Sequence, residues 1–177
     1  MKVNIVRNIF KTQHGFTMIE IIAVLVVLGI LVAVAVSRSV NYNTELYTGA
    51  DTLKNHLRYA QTLAMNYNPQ AGEVVWGIKS DGSNYWLFQG LATDDSLLLP
   101  EDTKFITSAR KVDLAAKKIQ LSIPFTIYFD SYGIPYSAYT DATTNTPQES
   151  DLTILVTPVS GSGSIAVTIT PRTGFIQ

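Results

Sequence analysis

Apolar residues run along this chain in two periods, with an unbroken block ahead of both. The block is Phe16 to Val36, 21 residues in which Glu20 is the one charge. As a helix rising about 1.5 Å per residue it would be roughly 31 Å long, against roughly 30 Å of bilayer hydrocarbon. It predicts a helix able to span a membrane. Beyond it, Leu46, Ala50, Leu53, Leu57, Ala60, Ala64 and Tyr67 recur at steps of three and four, while Glu45, Asp51, Lys54, Asn55, Arg58 and Gln61 lie mostly off that stripe. This predicts an amphipathic helix continuing the first. Pro disfavours helix at the residue before it, so Asn66-Tyr67-Asn68-Pro69 is expected to stop the helix and Ala71-Gly72 to open a loop. One helix from Phe16 to Asn66, about fifty residues, would run roughly 75 Å. Its weak points by propensity are Gly29 and the stretch from Ser37 to Thr44.

After Gly72 the period shortens to two. Val74 to Lys79, the turn Ser80-Asp81-Gly82-Ser83 and Tyr85 to Gln89 predict a hairpin, with Gly82 supplying a positive φ. Further strands are expected at 104–107, 118–123, 126–129, 152–157, 164–170 and 174–176, which implies antiparallel sheet. Three segments read as loops: 91–102 with its acids Asp94, Asp95, Glu101 and Asp102; 137–151, rich in Thr, Asn, Pro and Gln; and Ser160-Gly161-Ser162-Gly163. The helix stripe is what such a sheet would cover. The expected fold is therefore α+β, a long N-terminal helix with a membrane-spanning first half, packed on an antiparallel β domain. Its parts are a leader (1–15), the spanning helix (16–36), an amphipathic continuation (37–68) and the β domain (69–177).

Composition narrows the function classes. Of the 13 basic residues, Lys2, Arg7 and Lys11 precede Gly15 and no acid does, so ten remain against 14 acids beyond it. That balance argues against broad binding of nucleic acid, which rests on neutralising phosphates. The chain has no cysteine, which excludes disulfides, thiol catalysis and Cys-based zinc sites. A secretory signal would place its apolar stretch before the cut and lose it. Here the apolar stretch follows the basic segment, and Arg38 alone stands between Val36 and Lys54, so the positive-inside bias puts the leader in the cytoplasm and exports the rest.

A carboxylate within the apolar block is disfavoured by about 2.5–3.5 kcal/mol at full depth. Glu20 is either a snorkelling acid near a helix end or a residue with a dedicated partner. Gly15-Phe16-Thr17-Met18-Ile19-Glu20, behind a short basic leader and in register with the apolar run, resembles the processing signal of type IV prepilins and type II secretion pseudopilins. The resemblance implies cleavage by a membrane aspartyl peptidase between Gly15 and Phe16, N-methylation of Phe16, and an assembly role for Glu20, the fifth mature residue. Many relatives have Pro where this chain has Ser37. Three further segments, Leu57-Arg58-Tyr59-Ala60-Gln61, Phe129 to Pro135 and Ile169 to Phe175, resemble the globular domains of H-type minor pseudopilins and related minor pilins.

The family resemblance implies a structural subunit of the inner membrane, with prepilin peptidase and other pilins or pseudopilins as partners and secreted proteins as cargo. Two readings stay open within it: a minor pseudopilin of a type II secretion apparatus, and a minor type IV pilin. A third is a filament-tip pilin that takes up DNA, for which Arg172 with Lys117 and Lys118 would have to form the phosphate-binding patch. No cofactor is implied. The acidic loop could ligate calcium, as a C-terminal loop does in major pseudopilins, but its acids lack the spacing of a dedicated site. A solvated loop is the simpler reading. His56 reads as a packed or exposed helix residue rather than a metal ligand, and Trp76, Tyr85, Trp86 and Phe88 as core rather than a stacking platform. No phosphate loop, nucleophile elbow or paired-carboxylate signature stands out, so no enzyme activity is expected.

Overall fold

A computed structural model of the chain describes residues 16–66 and 74–177, with backbone alone over 37–43. Gly15, the Tyr67-Asn68-Pro69 part of the expected helix stop, the Ala71-Gly72 loop and the side chains around Ser37 lie outside the described residues. Contacts divide the chain into two units, Met1–Arg38 and Ser39–Gln177.

Helix α1, Met18–Asn66, contributes to both. In the first unit it holds an apolar span, Met18–Val36, with mean hydropathy 3.1 and none of it buried, long and apolar enough to cross a membrane. In the second unit the stripe takes the opposite environment. Leu46, Ala50, Leu53, Leu57, Ala60 and Ala64 are all buried, as the steps of three and four require.

The stripe packs with core residues from two antiparallel sheets. The larger orders its strands β3-β2-β1-β5-β6-β7, where β1 is Trp76–Ser80, β2 Asn84–Gln89, β3 Val112–Asp113, β5 Phe125–Phe129, β6 Pro135–Tyr139 and β7 Asn145–Pro147. The smaller orders β4-β8-β9, with β4 at Ile119–Leu121, β8 at Leu152–Pro158 and β9 at Ile165–Ile169. The β1–β2 hairpin turns as expected: Gly82 has φ +93°, and Asp81 Oδ1 accepts from the Ser83 and Asn84 N–H groups at 2.9 and 2.7 Å. In register, Ile78 stands between Leu87 and Ile127 on the core face, and Gly77 between Phe88 and Tyr128 on the other. A β-carbon on Gly77 would overlap the Ile127 carbonyl oxygen and the Phe88 ring, so only glycine lets that ring lie across β1 toward Tyr128.

Three expectations fail. The expected strand over 104–107 is a 3-10 turn at Thr103–Phe105 followed by a single bridge from Ile106 to Val112. Asp102 causes this, since its carboxylate accepts from the Lys104 N–H at 3.1 Å and offers the backbone a local partner in place of a ladder. The expected loop over 137–151 contains most of β6 and all of β7. Their outward residues are polar because β7 is an edge strand, where Pro147 is also tolerated. The third is the expected strand at 174–176, which is one bridge, Ile169 to Ile176, beside reciprocal bonds between Thr168 and Gln177 at 3.0 Å.

Candidate functional site

Three places gather the residues singled out above. The first is the start of α1. Thr17 precedes the helix, and its Oγ1 accepts from the Glu20 N–H at 3.3 Å while Glu20 Oε2 accepts from the Thr17 N–H at 3.4 Å. This is a capping box, in which two helix-end donors are satisfied reciprocally. The Thr-x-x-Glu spacing is visible in the sequence, yet read as a charge problem alone Glu20 gives no hint of it. A carboxylate has about four acceptor positions, so the box leaves room for a further donor. Cleavage before Phe16 would also keep both members of the box.

The second place joins the three internal segments that carried the H-type resemblance. Gln61 Nε2 on α1 donates to the carbonyls of Gly133 and Gly174 at 2.9 and 3.1 Å, and Arg58 Nη2 donates to the Ile176 carbonyl at 2.8 Å. One helix row therefore pins two turns distant in sequence. The Asp130 turn is closed by its own carboxylate, which accepts from the Tyr132 and Ile134 N–H groups at 2.9 Å. At Gly174, φ is +63° and a β-carbon would meet the Gly133 carbonyl, so glycine is needed twice over.

The third place is the acidic loop. Asp94 meets the Lys79 ammonium at 2.7 Å, Glu101 meets Lys117 at 2.6 Å and Asp102 meets Lys104 at 3.1 Å. The hydrogen bond from Lys79 holds the Asp94 carboxyl below its ordinary value, and the backbone bond from Lys104 does the same for Asp102. Cations already face these acids, and among the described residues no three His, Cys, Asp or Glu side chains gather as metal ligands would. Ion pairs also occupy two members of the basic triad. Lys117 is buried against Glu101 and Lys118 bonds Glu45, while exposed Arg172 belongs to the C-terminal turn.

His56 is buried between α1 and β2 rather than exposed. Tyr85, Trp86 and Phe88 are core residues; Trp76 is half-buried. Because β2 is covered on both faces, its alternation does not separate inside from outside. Trp86 Nε1 donates to the Thr93 carbonyl at 2.8 Å, and the Lys111 ammonium lies 3.5 Å from the Trp86 ring centre, so the outer face has its own lid.

Residues 10–36 match the family model described as the prokaryotic N-terminal methylation motif. No curated protein and no solved structure matches the chain.

Proposed function

We propose that this chain, which carries a type IV pilin-like prepilin signal, is a minor structural subunit of a pilus-like filament. In this reading the peptidase cuts between Gly15 and Phe16, Phe16 is methylated, and the spanning segment stays with the mature protein. The basic leader supports a cytoplasmic N-terminus, an inner-membrane anchor and an exported globular unit. The observation that carries the proposal is the register of the signal in the sequence: leader, Gly15, Phe16 and Glu20 come at the head of an apolar span, Met18–Val36, of which none is buried.

Docking follows from the charges. Cleavage creates an ammonium at Phe16, one turn before Glu20, and each charge alone is costly beside hydrocarbon. Within one subunit the Glu20 carboxylate turns back to cap its own helix, and the acceptor positions that the cap leaves over can take the ammonium of a neighbour shifted along the filament. The pair would set the axial register and would be complete only on assembly. Removing one partner of such a pair costs about 3–5 kcal/mol, which lowers incorporation by two orders of magnitude or more.

Glu20→Gln tests this. The variant should be cleaved, inserted and folded, yet fail to co-purify with partner pilins after cross-linking. Wild-type stoichiometry in the variant would return Glu20 to capping and snorkelling alone. Among filament types, the first reading is a minor pseudopilin of a type II secretion apparatus and the second a minor type IV pilin; segments 57–61, 129–135 and 169–175 resemble both, so the choice falls to genetics. On the first reading, deletion of the gene should block export of folded proteins and leave pilus-dependent motility and DNA uptake intact; the reverse phenotype would assign the chain to a type IV pilus.

A further inference from the structure

A buried polar cluster in the globular unit is not used in the docking proposed above. His56 on α1 is 2% exposed and Tyr85 on β2 is 1% exposed, with His56 Nδ1 at 2.9 Å from the Tyr85 hydroxyl oxygen. On the other side of the ring, Nε2 is 3.4 Å from the Pro100 carbonyl oxygen. A carbonyl can only accept, which places the ring hydrogen on Nε2 and leaves Nδ1 to accept from the phenol. The neutral imidazole thus satisfies both neighbours at once.

Pro100 belongs to a strap, residues 97–101, that is bridged to β2 at Leu97 and lies over the core with Leu99 turned inward. The Leu97 N–H donates to the Leu87 carbonyl at 2.8 Å, Leu99 is 1% exposed, and the Glu101 N–H donates to the Leu99 carbonyl at 2.8 Å. Glu101 and Lys117 pair with side chains 10% and 6% exposed, and the Lys117 ammonium lies 4.3 Å from the Phe105 ring centre. The groups facing His56 are therefore Tyr85 from β2, Glu101 from the strap and Lys117 from the turn before β4. Glu101 is already paired with Lys117, which offsets part of its attraction for an imidazolium. A proton on Nδ1 would bury that charge and deprive the phenol hydrogen of its acceptor.

We propose that His56 is an acid-sensitive pin for the 97–101 strap: the strap seals the neutral ring from water, and on protonation the cost of the buried charge outweighs the Nε2–H bond to Pro100, so the strap lifts, uncovering Leu99 and the Glu101–Lys117 pair. The sign is fixed by burial, which holds the imidazole below its ordinary 6.5, with Lys117 acting in the same direction and the Pro100 carbonyl and Glu101 against it. Below 6.5 the closed strap binds fewer protons than the open one. The pin is whole above that pH and lost as pH falls toward the depressed value.

Amide hydrogen exchange on the full chain in detergent, corrected for intrinsic rate and followed from about pH 7.5 to about pH 5 alongside the imidazole resonances, reads this directly. Protection of the Leu97 and Glu101 amides should fall by up to about tenfold per pH unit once the pH drops below the ordinary histidine value, while β1 and β5 keep theirs. His56→Gln should show strap protection that does not change with pH. Strap protection constant with pH in the wild type, a His56 midpoint at or above the ordinary value, or a wild-type pH response in His56→Gln would each overturn the proposal. If His56→Gln fails to fold, the two wild-type readings still decide it.

Discussion

The two halves of α1 contain the same kinds of side chain in opposite circumstances. Leu25 and Leu28 in the first unit are 60% and 55% exposed, whereas Leu53 and Leu57 in the second are 1% and 0% exposed. The second half is apolar on one stripe, and the chain supplies two sheets to cover it. The first half is apolar all round and finds no cover among the described residues. A helix of that kind is stable only where something else removes it from water, lipid or other helices of the same sort. One half of α1 thus folds a domain, while the other half is left unburied and needs lipid or other helices to cover it.

The comparison breaks or holds on paired substitutions. The largest effect is expected from Leu57→Ala, which removes a fully buried side chain and should destabilise the globular unit by about 2–5 kcal/mol in denaturant unfolding. Leu25→Ala, the same chemical change in the exposed half, should leave that transition unmoved; an equal loss in both would show that the two units unfold as one. Next comes Gln61→Ala, which leaves the Gly133 and Gly174 carbonyls without their donor and should cost about 1–3 kcal/mol, with faster amide exchange confined to the two turns. Thr17→Ala should cost about 1 kcal/mol of helix stability at the start of α1, visible in exchange of the first-turn amides and absent from the unfolding of the globular unit. The smallest is Lys118→Ala, which breaks an exposed pair with Glu45 and should change stability by at most about 1 kcal/mol, vanishing at high salt.

What was legible in the sequence follows a physical division. Periodicity exposes elements that bury one face, so the helix stripe from Leu46 to Ala64 and the hairpin at Gly82 were readable, the hairpin with its strand ends shifted by one or two residues. It does not say which side is inside where a strand is buried on both faces, as β2 is, and it misses a strand at a polar edge, as β7 is. At the candidate site, Glu20 was conspicuous because a charge in an apolar run demands a reason, but its cap with Thr17 needed the local geometry to be asked for explicitly. The pairing of His56 with Tyr85 spans 29 residues, and the burial of Lys117 depends on Glu101 arriving from another loop. Neither leaves a mark in local pattern, because lone histidines and lysines read as solvated until a tertiary partner is known.

The central claim is that the apolar half of α1 is retained after processing and is the part offered to partners. Intact-mass measurement of the protein extracted from membranes tests it most directly. The account predicts a chain that begins at Phe16, carries one added methyl group and keeps the whole of Met18–Val36. A mature chain that still contains Lys11, or one cut beyond Val36 as a secretory signal would be, would contradict it.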